Sequence, residues 1–119
     1  MKRAVVVLLA LAVIFALVAC NANTVRGSVV RESTYGNAEL DIMPQKLLEE
    51  IQIGETVVVT IGDFSEEMLF SDEWIDDDGK LQLFFDRDEW CIRVCSLDGD
   101  FCGSYGISAG DKVTIRKAG

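Results

Sequence analysis

Hydrophobic side chains follow two different patterns along the 119-residue chain. Residues 4–18 contain no charged or polar side chain, whereas after residue 24 the apolar positions alternate with polar ones or form short β-branched runs. Gly, Asn and Asp separate these short runs, which is typical of strands joined by turns. This second part is therefore predicted to be mostly β, a small barrel or sandwich of about six to seven strands with one or two short helices.

The predicted elements follow the turn signals. Pro44 suits the first position of a helix and good helix formers follow it, so a short helix is predicted over residues 44–50. A second helical turn over residues 101–105 ends at Gly106. Asp78-Gly79 is typical of a hairpin turn between two strands. Strands are predicted over residues 25–31, 38–42, 55–61, 64–70, 80–85, 90–95 and 111–115.

Two segments of the chain repeat one pattern. Residues 51–59 and 107–115 both read Ile-x-x-Gly-acid-x-Val-x-aliphatic, and each follows a predicted short helix. Such a pattern describes a turn glycine that leads into a strand whose alternate residues face a core. The repeat predicts two similar corners of one barrel or sandwich, and chance similarity between two strand starts is the alternative.

The N-terminus has the three parts of a secretory signal peptide. Lys2 and Arg3 form a positive head, residues 4–18 form the apolar run, and a small residue precedes Cys20. The apolar run is shorter than the roughly 20 residues of a membrane-spanning helix. Leu17-Val18-Ala19-Cys20 resembles a bacterial lipobox, which implies cleavage before Cys20 and lipid on that cysteine. An ordinary cleaved signal peptide, with Cys20 incidental, is the alternative.

The lipobox interpretation divides the chain into three parts. Residues 1–19 are the signal peptide, residues 20–24 the lipidated cysteine and its tether, and residues 25–118 the β domain. We expect the lipid to hold the domain at the bacterial cell envelope, on the periplasmic side or at the cell surface. Several acyl chains make a stable anchor, whereas a single chain holds only marginally.

Charge and residue type narrow the range of functions. Loss of Lys2 and Arg3 with the signal peptide leaves nine basic against 20 acidic residues, a net charge of −11. Such a surface repels nucleic-acid phosphates and anionic headgroups, so nucleic acid is not an expected partner and the membrane is reached through the lipid on Cys20. The sequence has no histidine, which excludes Ser-His-Asp and Cys-His catalysis and His-ligated metals. No cofactor is expected.

Three further cysteines lie in the second half of the chain. In an exported protein they are more often oxidised than catalytic or metal-binding. Cys91 and Cys95 share one face of the predicted strand, and a two-residue hairpin turn at Asp98-Gly99 would place Cys95 opposite Cys102, within the range of a disulfide. The prediction is a Cys95–Cys102 disulfide. If residues 101–105 form a helix instead, a Cys91–Cys102 disulfide is a comparable alternative.

The acidic run over residues 72–79 does not fit a calcium-binding loop. An EF-hand places its glycine sixth, so with Gly79 in that position Trp74 would be the first ligand and Phe85 the twelfth, and neither can bind calcium. The run is predicted to be a solvated turn, and no metal site is predicted. Trp74 lies inside this run, where it could serve as a platform for a ligand, although a core position is the better prediction.

Several short motifs together resemble one known domain. Gly27-Ser28-Val29 is followed by Tyr35-Gly36-Asn37, by Asp41-Ile42, by a Gly-acid-x-Val strand at residues 54–57, and by an aromatic-Gly-Ile-x-x-Gly-Asp-x-Val-x-Ile ending at residues 105–115. This order resembles the C-terminal domain of the S-adenosylmethionine hydroxide adenosyltransferases, which are relatives of the fluorinase and chlorinase enzymes. The resemblance covers nearly the whole chain after the signal peptide.

The resemblance implies a small β-barrel that supplies part of an adenosyl pocket, whereas the catalytic residues of the family lie in a larger N-terminal domain. It therefore implies a non-catalytic module. Asn37 and Asp41 are the two positions carried over as ligand-binding residues. The family commonly has an adenine-contacting asparagine where this chain has Asp41.

Three functional hypotheses follow. In the first, the domain is a non-enzymatic binding module for a small nucleoside-like or other polar ligand at Asn37 and Asp41. In the second, it is a structural or interaction lipoprotein that presents a β face or its acidic loop to an envelope protein. Adenosyltransferase catalysis by this domain is the third and weakest hypothesis.

Overall fold

A computed structural model describes residues 24–75 and 80–119 of the chain. The predicted signal peptide, Cys20 and the Asp78-Gly79 turn lie outside these residues. Within them, no helix has the length and apolar character needed to cross a membrane. The elements are β1 (Val25–Glu32), β2 (Ala38–Leu40), α1 (Pro44–Glu50), β3 (Thr56–Ile61), β4 (Phe64–Ser71), β5 (Leu81–Asp86), β6 (Cys91–Ser96), α2 (Phe101–Tyr105) and β7 (Lys112–Lys117).

The strands form a closed barrel in the order β1-β2-β6-β5-β4-β3-β7. Six of the neighbouring pairs are antiparallel and the β4–β5 pair is parallel. The prediction of a mostly β fold, a barrel or sandwich of about six to seven strands with one or two short helices, is confirmed. Of the alternatives, the structure has a barrel of seven strands and two short helices. Both helices begin where Pro44 and the 101–105 pattern predict them.

Alternation along the strands fills the barrel with aliphatic and aromatic side chains. Val57, Val59 and Ile61 of β3 are almost completely buried, and the helices add Leu47 and Phe101 to the same core. Because a strand points successive side chains to opposite faces, the residues between these core positions lie on the outside of the barrel. The outer residues of β5 and β6 form the site described below.

The pairing of β4 with β5 differs from the sequence prediction. A hairpin at Asp78-Gly79 would return β5 antiparallel to β4, but the two strands run parallel, with Leu69 opposite Gln82 and Ser71 opposite Phe84. Parallel neighbours need a crossover connection rather than a tight turn. The connection from β4 to β5 therefore crosses over, and the two strands pair over three residues.

The two repeated segments form matching corners, as predicted. In the first, the Gln52 N–H donates to Glu55 Oε1 (3.0 Å), and the Gly54 N–H donates to the carbonyl of Phe70 (2.8 Å). The Phe70 N–H in turn donates to the carbonyl of Glu55 (2.9 Å). The side chain of Glu55 and the backbone of β4 therefore hold this corner together.

The second corner repeats every one of these bonds. The Ser108 N–H donates to Asp111 Oδ2 (2.8 Å), the Gly110 N–H to the carbonyl of Val29 (2.8 Å), and the Val29 N–H to the carbonyl of Asp111 (2.8 Å). Gly54 and Gly110 have φ angles of 98° and 94°. A positive φ at this position explains why both copies of the pattern contain glycine.

We predict that Gly54→Ala and Gly110→Ala destabilise the protein equally, by about 1–2 kcal/mol each, because each forces a side chain into the positive-φ region. No atom lies within 4 Å of an added Cβ at either position, so the cost is conformational. Urea unfolding of the two variants measures it. Gln52→Ala and Ser108→Ala are matched controls, since only their backbone N–H groups serve the corners. A stable variant at one glycine and an unstable one at the other would show that the corners are not equivalent.

Candidate ligand-binding site

A cavity of about 540 Å³ opens on the outside of the barrel at β5 and β6. Phe84 of β5 lies directly opposite Arg93 of β6, and both line the cavity. Their sequence neighbours on each strand point into the core, so the alternation of the two strands turns Phe84 and Arg93 outward. A concavity of this size accommodates a small molecule.

The crossover after β4 forms one wall of the cavity. The buried side chain of Gln82 donates from Nε2 to the carbonyl of Glu73 (2.6 Å) and accepts from the Ile75 N–H at Oε1 (3.4 Å). These two bonds hold Trp74 between them, where its ring packs edge-to-face on Phe84 with 5.7 Å between centroids. Trp74 lines the cavity and remains 52% exposed, so it is not a core residue.

The Tyr35-Gly36-Asn37 turn forms the opposite wall. Backbone N–H groups at the start of α2 fix this turn, since Asp100 donates to the carbonyl of Tyr35 (3.0 Å) and Cys102 to that of Gly36 (2.8 Å). Asn37 lines the cavity and is only 7% exposed, whereas Tyr35 is 79% exposed. The buried Oδ1 atom of Asn37 has no hydrogen-bond partner.

Asp41, the second predicted ligand-binding residue, lies outside the cavity. Its Oδ1 atom accepts from the Ser28 N–H at 2.7 Å, and its own N–H donates to the carbonyl of Ser28 at 3.0 Å. An added Cβ at Gly27 would lie 2.5 Å from Ile42 Cγ1 and 2.6 Å from Asp41 Oδ1. The Gly27-Ser28 and Asp41-Ile42 motifs therefore occur together because they pack on each other, and the structure does not bring Asn37 and Asp41 into one site.

Four alternating charges cross β1, β2, β6 and β5 beside the cavity. Arg31 Nε lies 2.7 Å from Glu39 Oε2, Arg93 Nη2 lies 3.3 Å from Glu39 Oε1, and Arg93 Nη1 lies 2.6 Å from Asp86 Oδ2. We call these four residues the charge ladder. The Nε atom of Arg93 is buried and has no hydrogen-bond partner.

The ladder keeps Asp86 and Arg93 charged although both are partly buried. Burial alone would raise the pKa of Asp86, but hydrogen bonds from the Glu89 N–H and from Arg93 outweigh it and lower that pKa below its usual value. Burial likewise opposes the charge of Arg93, and the carboxylate of Asp86 outweighs it and raises the pKa of the guanidinium. Arg93 is thus a fixed cation whose charge is balanced by two neighbouring carboxylates.

The predicted Cys95–Cys102 disulfide is absent, because Cys91, Cys95 and Cys102 are all free. Residues 101–105 form α2 instead of a strand, so Cys102 does not lie opposite Cys95. Gln82 of β5 is the residue opposite Cys95. The alternative Cys91–Cys102 pairing is not formed either.

Among the groups that could bind a metal or act as a thiol, the cavity is lined by Cys95 and Asp98. Within residues 24–75 and 80–119, no cluster of three or more metal-ligating side chains occurs. Burial raises the pKa of Cys95 to about 12, so its thiol is protonated at neutral pH. The side chains that line the cavity include three aromatic rings, the carboxamide of Asn37, the guanidinium of Arg93 and the carboxylate of Asp98.

Known proteins share the fold of this chain. No protein-family model matches the sequence, and no curated protein does. The solved structure of an uncharacterized conserved protein from Thermotoga maritima is similar, with a TM-score of 0.72 and 22% identity over 79% of this chain and 36% of that one. A conserved hypothetical protein from Thermus thermophilus has a TM-score of 0.53 and 14% identity over 78% of this chain and 34% of the other. The chain spans about a third of the length of these two proteins.

Sequence reasoning identified Asn37 and mentioned Trp74, but it missed Phe84 and Arg93 as residues of the cavity. These two occupy the outward positions of predicted strands, so their direction was available from the alternation of the pattern. The pattern does not show that Phe84 and Arg93 lie near Tyr35 and Trp74. That proximity depends on which strands are neighbours and on the path of the crossover.

We predict that the free energy of unfolding falls less steeply with decreasing pH in Asp86→Asn than in the unsubstituted protein. Because the pKa of Asp86 is lowered in the folded state, its contribution is present above the unfolded pKa and is lost as the pH falls below about 4. Urea unfolding between about pH 2 and 7 measures this dependence. Asp88→Asn, at an exposed residue of the turn after β5, makes an equal change of charge and is the control. Equal slopes in the protein and in Asp86→Asn would contradict the ladder's role.

We also predict that the thiols of the folded domain react slowly with iodoacetamide at neutral pH. Burial raises the pKa to about 11 for Cys91 and Cys102 and to about 12 for Cys95, so little thiolate forms. Mass spectrometry of each cysteine peptide gives the rates, and the same labelling in guanidinium chloride is the control for full reactivity. Rapid native labelling of Cys95, or a Cys95–Cys102 peptide linked by a disulfide, would contradict the structure.

Proposed function

We propose that this chain is an exported lipoprotein, anchored through lipid on Cys20, whose barrel binds a small planar, nucleoside-like ligand without catalysis. The observation that carries the proposal is the cavity at β5 and β6, which is lined by three aromatic rings and by the buried residue Asn37 with its unpartnered Oδ1. Largely apolar pockets with a few converging polar groups are the usual form of a small-molecule site.

The aromatic side chains support a planar ligand. Trp74 and Tyr35 both line the cavity and are 52% and 79% exposed, and Phe84 lines it from β5. Stacking of a heteroaromatic base on such rings stabilises a complex by about 1–3 kcal/mol per base. The exposure of Trp74 and Tyr35 in the protein leaves their faces available for this contact.

The polar groups support binding without chemistry. Arg93 is held in the charge ladder, Cys95 is a buried thiol with a strongly raised pKa, and Asn37 cannot transfer a proton at neutral pH. The resemblance to the adenosyltransferase C-terminal domain points the same way, since the catalytic residues of that family lie in its other domain. The match of this barrel to a third of two longer chains is consistent with a domain that also occurs within larger proteins.

A protein partner at the same surface is the second candidate. The specific observation in its favour is that the two exposed aromatic residues Tyr35 and Trp74 flank one opening, beside the acidic run that starts at Asp72. Exposed aromatic residues are typical anchors of interfaces. The partner would be an envelope protein with a basic surface.

We predict that a nucleoside-like ligand quenches the fluorescence of Trp74 and not that of Trp90. The two tryptophans are similarly exposed, at 52% and 48%, but only Trp74 lines the cavity, whereas Trp90 donates to Gln45 Oε1 and packs on Phe85. Detergent-solubilised full-length protein is titrated with adenosine, S-adenosylmethionine and the other common nucleosides. Saturable quenching should persist in Trp90→Phe and disappear in Trp74→Phe.

A thermal-shift measurement on the same samples is the second readout. Ligand at 100 times its dissociation constant should add about 2.7 kcal/mol to the free energy of unfolding. If no compound changes either signal, the small-ligand proposal is wrong and the protein-partner candidate takes its place. Quenching that survives in Trp74→Phe would place the ligand outside the cavity.

A further inference from the structure

The charges around the cavity restrict what it can bind. Glu39 and Asp86 both hold the guanidinium of Arg93, so the cation that lines the cavity is already paired on two sides. Asp98 also lines the cavity, and Glu89 lines a smaller adjoining cavity of about 220 Å³ together with Asp86. A phosphate group that entered the cavity would lie close to these carboxylates. The charge of Arg93 is already balanced by Glu39 and Asp86.

The net charge of the domain also disfavours the binding of a phosphate group. After removal of the predicted signal peptide the chain carries a net charge of −11. Sites that bind phosphate usually offer lysine, arginine or the N–H groups of a helix or a glycine-rich loop. Here the charge field around the site repels anions at a distance. The one cation that the ladder presents to the cavity, Arg93, is already paired with two carboxylates.

Two buried polar atoms of residues that line the cavity have unused hydrogen-bonding capacity. The Oδ1 atom of Asn37 can accept one, and the Nε–H group of Arg93 can donate one, and both are buried without a partner. Both residues line the cavity and its smaller neighbour. Leaving a buried polar group unpaired is unfavourable, so a ligand that supplies a donor and an acceptor gains more here than one that supplies neither.

We infer that the ligand is an unphosphorylated, uncharged heterocycle with an amino donor beside a ring acceptor, and that the site rejects the phosphorylated form of the same molecule. Adenine and cytosine each present such an edge. This inference rests on the proposed function, which says only that the cavity takes a planar nucleoside-like molecule. The charge ladder supplies the discrimination, and Asn37 with Arg93 supplies the recognition of the edge.

The first experiment compares adenosine and cytidine with their 5′-monophosphates by quenching of Trp74 in full-length protein. At least one nucleoside should bind at least tenfold more tightly than its monophosphate, and added salt should narrow the difference because it screens the repulsion. A monophosphate that binds as tightly as its nucleoside would overturn the inference and leave the proposed function intact. Absence of any quenching would overturn both.

The second experiment tests whether the ladder causes the discrimination. Asp86→Asn removes one of the two carboxylates that hold Arg93, so the preference for nucleoside over monophosphate should shrink several-fold. Asp88→Asn changes the net charge by the same amount at an exposed residue of the same loop, and it should keep the preference. Equal effects of the two variants would show that overall charge, and not the ladder, sets the specificity.

The third experiment tests the recognition of the edge. Asn37→Leu replaces the unpaired carboxamide by an apolar side chain of similar size, so the ligand-free protein should unfold at a higher temperature while nucleoside binding is lost. Purine riboside, which lacks the amino group of adenosine, should bind about tenfold more weakly than adenosine to the unsubstituted protein. A lower unfolding temperature for Asn37→Leu, or equal affinity for the two nucleosides, would overturn the assignment of Asn37.

Discussion

The antiparallel pairing of β3 with β7 is the constraint on which the rest of the barrel depends. Val59 lies directly opposite Ile115, and these are equivalent residues of the two repeated segments. A pseudo-twofold axis therefore passes between them and relates one corner to the other. Each strand then pairs outward in the same way, β3 with β4 and β7 with β1. Four of the seven strands are placed by this one arrangement, and β2, β5 and β6 have only to close the ring.

The site lies where this symmetry ends. β1 continues to β2 through a tight antiparallel turn, whereas β4 continues to β5 through a crossover to a parallel neighbour. The turn brings Asn37 and Tyr35 to the outer surface, and the crossover brings Trp74 there, fastened by Gln82. The cavity is thus bounded by two connections, and the pseudo-twofold axis does not relate one of them to the other. A symmetric scaffold supplies stability, and its one asymmetric side is free to form a binding surface.

Local signals in the sequence were enough to predict the elements but not their neighbours. The Pro44 helix start, the helix end at Gly106 and the two repeated corners depend on local signals, and the structure confirms them. The parallel β4–β5 pair and the facing of Phe84 by Arg93 depend on strand order, which no local pattern records. The disulfide prediction failed at a local choice between hairpin and helix, where the side chain of Asp100 accepts from the Gly103 N–H and starts α2.

For the candidate site, too, the sequence did not show which residues lie together. A resemblance of motifs singled out Asn37 and Asp41 together, four positions apart, as two residues of one pocket. Asp41 instead fastens the end of β2 to β1, close to Gly27, and only Asn37 faces the cavity. A motif records that residues occur together, and packing can be the reason as readily as ligand binding. Three-dimensional contacts are needed to tell the two reasons apart.

The charge ladder and the unpaired atoms beside it have complementary physical roles. Two carboxylates hold both terminal nitrogens of Arg93, so its side chain is already ordered before a ligand arrives. A ligand that accepts from the remaining Nε–H group therefore does not have to immobilise a long flexible side chain, which is a large part of the usual cost of binding. Asn37 is likewise fixed by burial and by its backbone bonds to Ser33. Groups that are rigid, desolvated and incompletely paired are unfavourable in the domain alone, and the proposed ligand would complete them.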